Sequence, residues 1–148
     1  MKPWIRSGLV LAVAAACGAC SEPDLDETVR TLERSNAVAF LCLSMDAGRD
    51  PGRSVEECPD FDDADEDLDL FALVTQTQRG EVAVVDLSAT TVVDNDPWVP
   101  GATFLPVGEN PVDIVATPGG VAAFVASAGG PGRHAITALP SSCVLPPR

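Results

Sequence analysis

The second half of this chain is cut into short apolar runs, and that pattern limits the folds open to it more than any other feature. The runs cover residues 70–76, 81–87, 90–94, 103–107, 111–116, 121–127 and 134–139. Each ends in a turn built from Gly, Pro or polar residues: 77–80 (TQRG), 95–102 (NDPWVPGA), 117–120 (TPGG) and 128–133 (AGGPGR). Runs this short, rich in Val and spaced at roughly 8–12 residues, are strands of an antiparallel meander. No helical stripe of useful length interrupts them. An earlier run over 36–45 (NAVAFLCLSM) is a further strand candidate, followed by a turn-rich stretch and an acidic segment over 46–69. The expected class is therefore all-β, an antiparallel meander over 36–148.

Part of this pattern repeats. Asn36-Ala-Val-Ala-Phe-Leu-Cys resembles Asn110-Pro-Val-Asp-Ile-Val-Ala, and Ala72-Leu-Val-Thr resembles Ala123-Phe-Val-Ala. Within each unit the order is a strand opened by Asn-X-Val, a turn, a strand, a turn and a strand, so the acidic stretch 46–69 is an insertion into the first unit. Internal repeats of this kind point to stacked, quasi-equivalent units.

The repeat is similar to the "YVTN" β-propeller repeat family, whose pattern runs V-G-x-x-P-x-x-I-A-V-x-P-D-G-x-x-A-Y-V-A-N, then a loop and V-x-V-I-D. The matching residues are Val107, Gly108, Pro111, Ile114, Pro118, Gly120, Ala123, Phe124, Val125 and Ala126. Val82, Val84, Val85 and Asp86 match the V-x-V-I-D strand, and 90–93 resembles the strand after it. Gly119 stands in place of the family's Asp, Phe124 of its Tyr and Ser127 of its Asn, and 134–139 lacks the Asp. The resemblance implies one to two propeller blades, each burying both faces between neighbours. A propeller closes with about four to eight blades, so the chain is expected to be a portion of a longer propeller, or a subunit that associates with itself or a partner through open β-edges.

The N-terminus sets the expected compartment. Lys2 and Arg6 precede an uncharged Leu/Val/Ala run of about ten residues, suited to a signal peptide and too short to span a ~30 Å hydrocarbon core. Small residues then lead into cysteine, an arrangement that looks like a bacterial lipobox. Cys17 and Cys20 both fit as the lipidated residue. Val13 to Ala16 suit Cys17 better, and lipidation there leaves an even number of thiols. The expected organisation is a leader over 1–16, a lipidated tether over 17–35 and the repeat region over 36–148. Neither Gly18 nor Ser21 is the aspartate of the familiar inner-membrane retention rule, so that resemblance implies an outer-membrane or periplasmic-face address.

Charge narrows the partners. Once the leader's two basic residues are set aside, seven arginines face 22 acidic residues. Such a surface repels phosphate backbones and excludes nucleic acid as an expected partner. Sixteen of the acidic residues lie between Glu22 and Asp69. Among them Asp63, Asp65 and Asp67 have the spacing of a calcium loop's first ligands, which makes Ca²⁺ the one cofactor candidate. Leu68 stands where that loop requires Gly, and Val74 where it requires Glu, so a solvated acidic loop is the plainer reading. Cys42 precedes the insertion and Cys58 lies within it; a bond between them would close a loop worth about 3 kcal/mol in the chain-entropy model, although four thiols allow three pairings.

Catalytic candidates are scarce. His134 is the lone histidine, there is no Tyr, and no Lys follows residue 2, which removes the usual acid–base sets. The Gly-rich 128–133 lacks the Lys and Ser/Thr of a phosphate cradle. Trp98, in 95–102, is read as packing against a blade edge or as a ligand-contacting aromatic. The expectation is a lipid-anchored, extracytoplasmic, non-catalytic binding or scaffold protein with a membrane anchor and an unidentified protein or ligand partner. A lactonase-like propeller hydrolase and a small calcium-stabilised β module are the alternatives.

Overall fold

A computed structural model describes residues 32, 34–44, 51–58 and 67–145. The strands are β1 (Val38–Ser44), β2 (Gly52–Arg53), β3 (Leu68–Gln76), β4 (Glu81–Asp86), β5 (Thr91–Val93), β6 (Leu105–Pro106), β7 (Pro111–Ala116), β8 (Ala122–Ala128) and β9 (His134–Pro140). The expected all-β class holds, and every apolar run named above carries a strand. Helix is confined to two single 3₁₀ turns among the described residues, Val55–Glu57 and Ser141–Cys143.

The strands form two antiparallel sheets. In sheet A the order is β2-β1-β3-β4-β5, with β6 also paired to β4; in sheet B it is β7-β8-β9. The edge strand beyond β4 is broken into β5 and β6. Val93 of β5 lies opposite Val84, and Leu105 of β6 lies opposite Val82. The intervening residues leave the sheet plane as a loop and return two positions further along the same neighbour.

Period-two alternation explains which residues face inward. Ala39, Leu41 and Leu43 of β1, Phe71 and Leu73 of β3, and Val82 and Val84 of β4 line one face of sheet A. Ile114, Ala123, Val125 and Leu139 line the facing side of sheet B, and Val107 and Val144 close the same cluster. One core thus joins the two sheets. Burying each of its larger side chains contributes about 1.5–3 kcal/mol.

Two close backbone approaches hold the ends. Gly80 (φ 69°) turns β3 into β4; its carbonyl accepts from Val107 N at 2.9 Å, and a Cβ there would stand 2.7 Å from the Gly108 oxygen. Gly120 (φ 66°) ends the β7–β8 turn, and a Cβ on it would strike the backbone of Arg53 in β2. Both sites admit only glycine, in conformation and in space.

The acidic insertion is more structured than a loop. Ser44 N donates to Pro51 O at 2.8 Å, β2 pairs with Cys42 and Leu43, and Ser54 caps the 3₁₀ turn that carries Cys58 back to the sheet. Cys42 and Cys58 are joined by a disulfide with Cα atoms 5.6 Å apart. At its other end β3 starts at Leu68, inside the span read from sequence as insertion.

The chain before β1 is also docked. The fully buried Thr75 donates from Oγ1 to Ala37 O at 3.2 Å and accepts from Ala37 N at 3.1 Å, and the fully buried Gln76 donates from Nε2 to Ser35 Oγ at 3.1 Å. Residues 34 and 35, expected to end a free tether, therefore pack against the end of β3. The span expected to be a leader, 1–16, and the rest of the expected tether apart from Leu32 lie outside the described residues.

Candidate functional site

The broken edge strand of sheet A builds the most distinctive surface feature. Asp94 closes the neck of the 94–103 loop. Its Oδ1 accepts from Thr103 Oγ1 at 2.7 Å, Thr103 N at 2.9 Å and Asp96 N at 3.2 Å. Asn95 N donates to Thr103 O at 3.2 Å, and Asn95 Nδ2 donates to Val144 O at 3.1 Å, which ties the neck to a core residue. The tip is a second turn: Asp96 accepts from Trp98 N through Oδ1 at 3.2 Å and from Val99 N through its carbonyl at 3.1 Å. Asp and Asn favour such turns because their side chains replace backbone partners, and Pro97 and Pro100 restrict what remains.

Trp98 at the tip is 89% exposed. The expectation that it packs on a blade edge is therefore corrected. The carboxylates of Asp94 and Asp96 accept from the loop backbone, and the indole stands in solvent. The brace fixes the loop backbone, so presenting this aromatic to a partner costs little backbone ordering, and Trp is enriched among the residues that anchor interfaces.

The 128–133 loop lies at the start of β9. Asn110 donates from Nδ2 to Ala128 O at 3.0 Å, and Arg133 forms an exposed ion pair with Glu109 at 3.0 Å. His134 opens β9 and is exposed. Between the β3–β4 turn and 106–110 is an open depression of about 530 Å³ lined in part by Arg79, Glu109 and Asn110. It holds no arrangement of nucleophile, base and oxyanion donor.

Burial and charge perturb one carboxylate. Asp69, at the start of β3, is pushed above its ordinary range, first by loss of solvent and then by the charge of Asp86 on the neighbouring strand; a hydrogen bond from Ser88 works the other way. Asp86 itself accepts from Ala89 N at 2.8 Å. The pair marks crowding at the β4–β5 turn rather than acid–base machinery.

The remaining sequence candidates divide as follows. Cys42 and Cys58 are brought together as a disulfide. Asp67 is exposed just before β3, whereas Asp63 and Asp65 lie outside the described residues, as do Cys17 and Cys20. Among the described residues no group of three or more His, Cys, Asp or Glu is placed to hold a metal ion. Cys143 is an exposed free thiol there. No helix among the described residues is long and apolar enough to cross a membrane.

What sequence reasoning missed is the bracing of the aromatic loop, whose signal was the Asp-Asn-Asp triplet at 94–96 with Thr103 across the neck. Compared with known protein families, with curated proteins and with solved structures, the chain finds no match.

Proposed function

We propose that this chain is a lipid-anchored, extracytoplasmic binding or scaffold protein, non-catalytic, whose two sheets are propeller-like blades and whose principal docking element is the Trp98 loop. The observation that carries the binding role is the exposed indole on a neck held by three hydrogen bonds to one carboxylate oxygen. The Cys42–Cys58 disulfide supports an oxidising compartment, and the leader-like segment ending in Cys17 or Cys20 supports the anchor.

Two measurements test this reading. Intact mass of the protein from its native membrane should show acyl groups, lost in Cys17→Ala or Cys20→Ala; an unmodified N-terminus would remove the anchor. Crosslinking from the 94–103 loop in intact cells should yield a defined adduct that Trp98→Ala abolishes. Adducts unaffected by that change would move the docking element elsewhere.

A further inference from the structure

The repeat and the burial pattern together say how the two sheets meet. Aligned by sequence, Ala39, Phe40 and Leu41 correspond to Asp113, Ile114 and Val115, while Leu73 and Val74 correspond to Phe124 and Val125. Their burial is inverted. Ala39, Leu41 and Leu73 are buried between the sheets, but their counterparts Asp113, Val115 and Phe124 are exposed. Phe40 is exposed and Val74 half-buried, but their counterparts Ile114 and Val125 are buried. The β1–β3 pairing sets Phe40 opposite Ala72, and the β7–β8 pairing sets Ile114 opposite Val125. That register differs between the repeats by two residues, which leaves every side chain on its own face.

Equivalent faces therefore do not meet. The front of sheet A, carrying Leu41 and Leu73, packs on the back of sheet B, carrying Ile114 and Val125. A contact between unlike faces of equivalent units is heterologous, and it leaves at either end the partner of what it has used. The back of sheet A presents Val38, Phe40 and Val92; the front of sheet B presents Val115, Phe124 and Ile136, of which Val115 is 61% and Ile136 76% exposed. Phe124 pairs directly with Val115, so these residues form one patch rather than scattered exposures.

We propose that a second copy of this chain covers these faces, with the back of its sheet A stacked on the front of the first copy's sheet B, repeating between chains the contact already made within one. This places self-association on the sheet faces, not on the open edges that the sequence suggested, and it is independent of the lipid anchor.

The test is a complementation of faces with the full-length chain in mild detergent, its mass read by sedimentation. Wild type should exceed the monomer mass. Ile136→Arg blocks the front of sheet B and Phe40→Arg the back of sheet A, and each alone should fall to monomer. Mixed, they should form a one-to-one heterodimer and nothing larger, because each supplies the face the other lacks; this recovery also shows that both variants are folded. Val115→Arg should behave as Ile136→Arg does and should complement Phe40→Arg alone. A monomeric wild type overturns the proposal. So does a wild-type oligomer that survives both single variants, or one that both abolish without recovery on mixing.

Discussion

Sheets A and B start from the same strand–turn–strand–turn–strand pattern and end in different states of closure. Sheet A has β5 and β6 along the outer side of β4, its far edge extended by β2, and that edge fastened by the Cys42–Cys58 disulfide. Among the described residues sheet B has three strands, with the largely exposed β9 at its edge. Thr75 and Gln76 of sheet A tie the chain before β1 to the sheet, and Ser127 and Thr137 of sheet B both donate to Val107 O, while the buried apolar side chains of the two sheets form one shared cluster. The difference teaches that the repeat specifies strands and turns, while the segments around it decide whether a sheet stands alone. The prediction is that sheet B borrows its stability from the core it shares with sheet A.

The strongest challenge to that statement is a change in sheet A read out in sheet B. Leu41→Ala should cost about 2–5 kcal/mol, the range for a buried leucine that leaves a cavity. Hydrogen-exchange protection of the β7–β9 amides should fall together with that of β1 and β3. If the sheet B amides keep their protection, the sheets are independent and the comparison fails. Next in size, the paired replacement Cys42→Ala with Cys58→Ala should cost about 2–4 kcal/mol, measured as a lower urea midpoint, with wild type under reductant reaching the same value. Because the staple lies wholly in sheet A, an equal loss of protection in sheet B would sharpen the claim of borrowed stability.

The interrupted edge strand separates fold from function within sheet A. Asp94→Ala removes the acceptor for three donors and should lower stability by about 1–2 kcal/mol. Trp98→Ala should change it by less than about 0.5 kcal/mol, because the indole touches solvent, while removing the crosslinked adduct. A large loss of stability from Trp98→Ala would show that the ring packs against the protein after all.

How much of this was legible in the sequence follows from the range of the interactions involved. The strands were legible because valine alternation and Gly/Pro turns act locally: 111–116 was read to the residue, and the others within about two positions at most ends. Cys42 and Cys58 were visible as a candidate pair, but their pairing needed β2 to bring Ser54–Cys58 back beside β1, a contact set by residues far apart in the chain. The face on which each repeat is buried was not legible, since Leu41 and Val115, or Leu73 and Phe124, are chemically alike and differ only in which neighbour covers them. Trp98 was legible as a candidate but not in its exposure, which depends on Asp94 reaching across the neck to Thr103.

The smallest expected effect concerns the β4–β5 turn of sheet A, where Asp86 stands near Asp69 at the start of β3. Burial, and then the charge of Asp86, raise the Asp69 carboxyl above its usual value of 3.8. The folded chain thus holds that proton more tightly than the unfolded chain does. Its contribution to stability is full below the ordinary carboxylate value and is lost as pH rises from there through the raised native value. At neutral pH the ionised Asp69 opposes folding, because its charge is partly desolvated and faces a like charge. Asp69→Asn keeps the shape and removes the titration. The difference in melting temperature between variant and wild type should therefore move in the variant's favour as pH rises from acid to neutral, with most of the change just above the ordinary aspartate range. A difference that stays flat across that window would mean that Asp69 titrates alike in both states, and that sheet A carries no electrostatic strain at the β4–β5 turn.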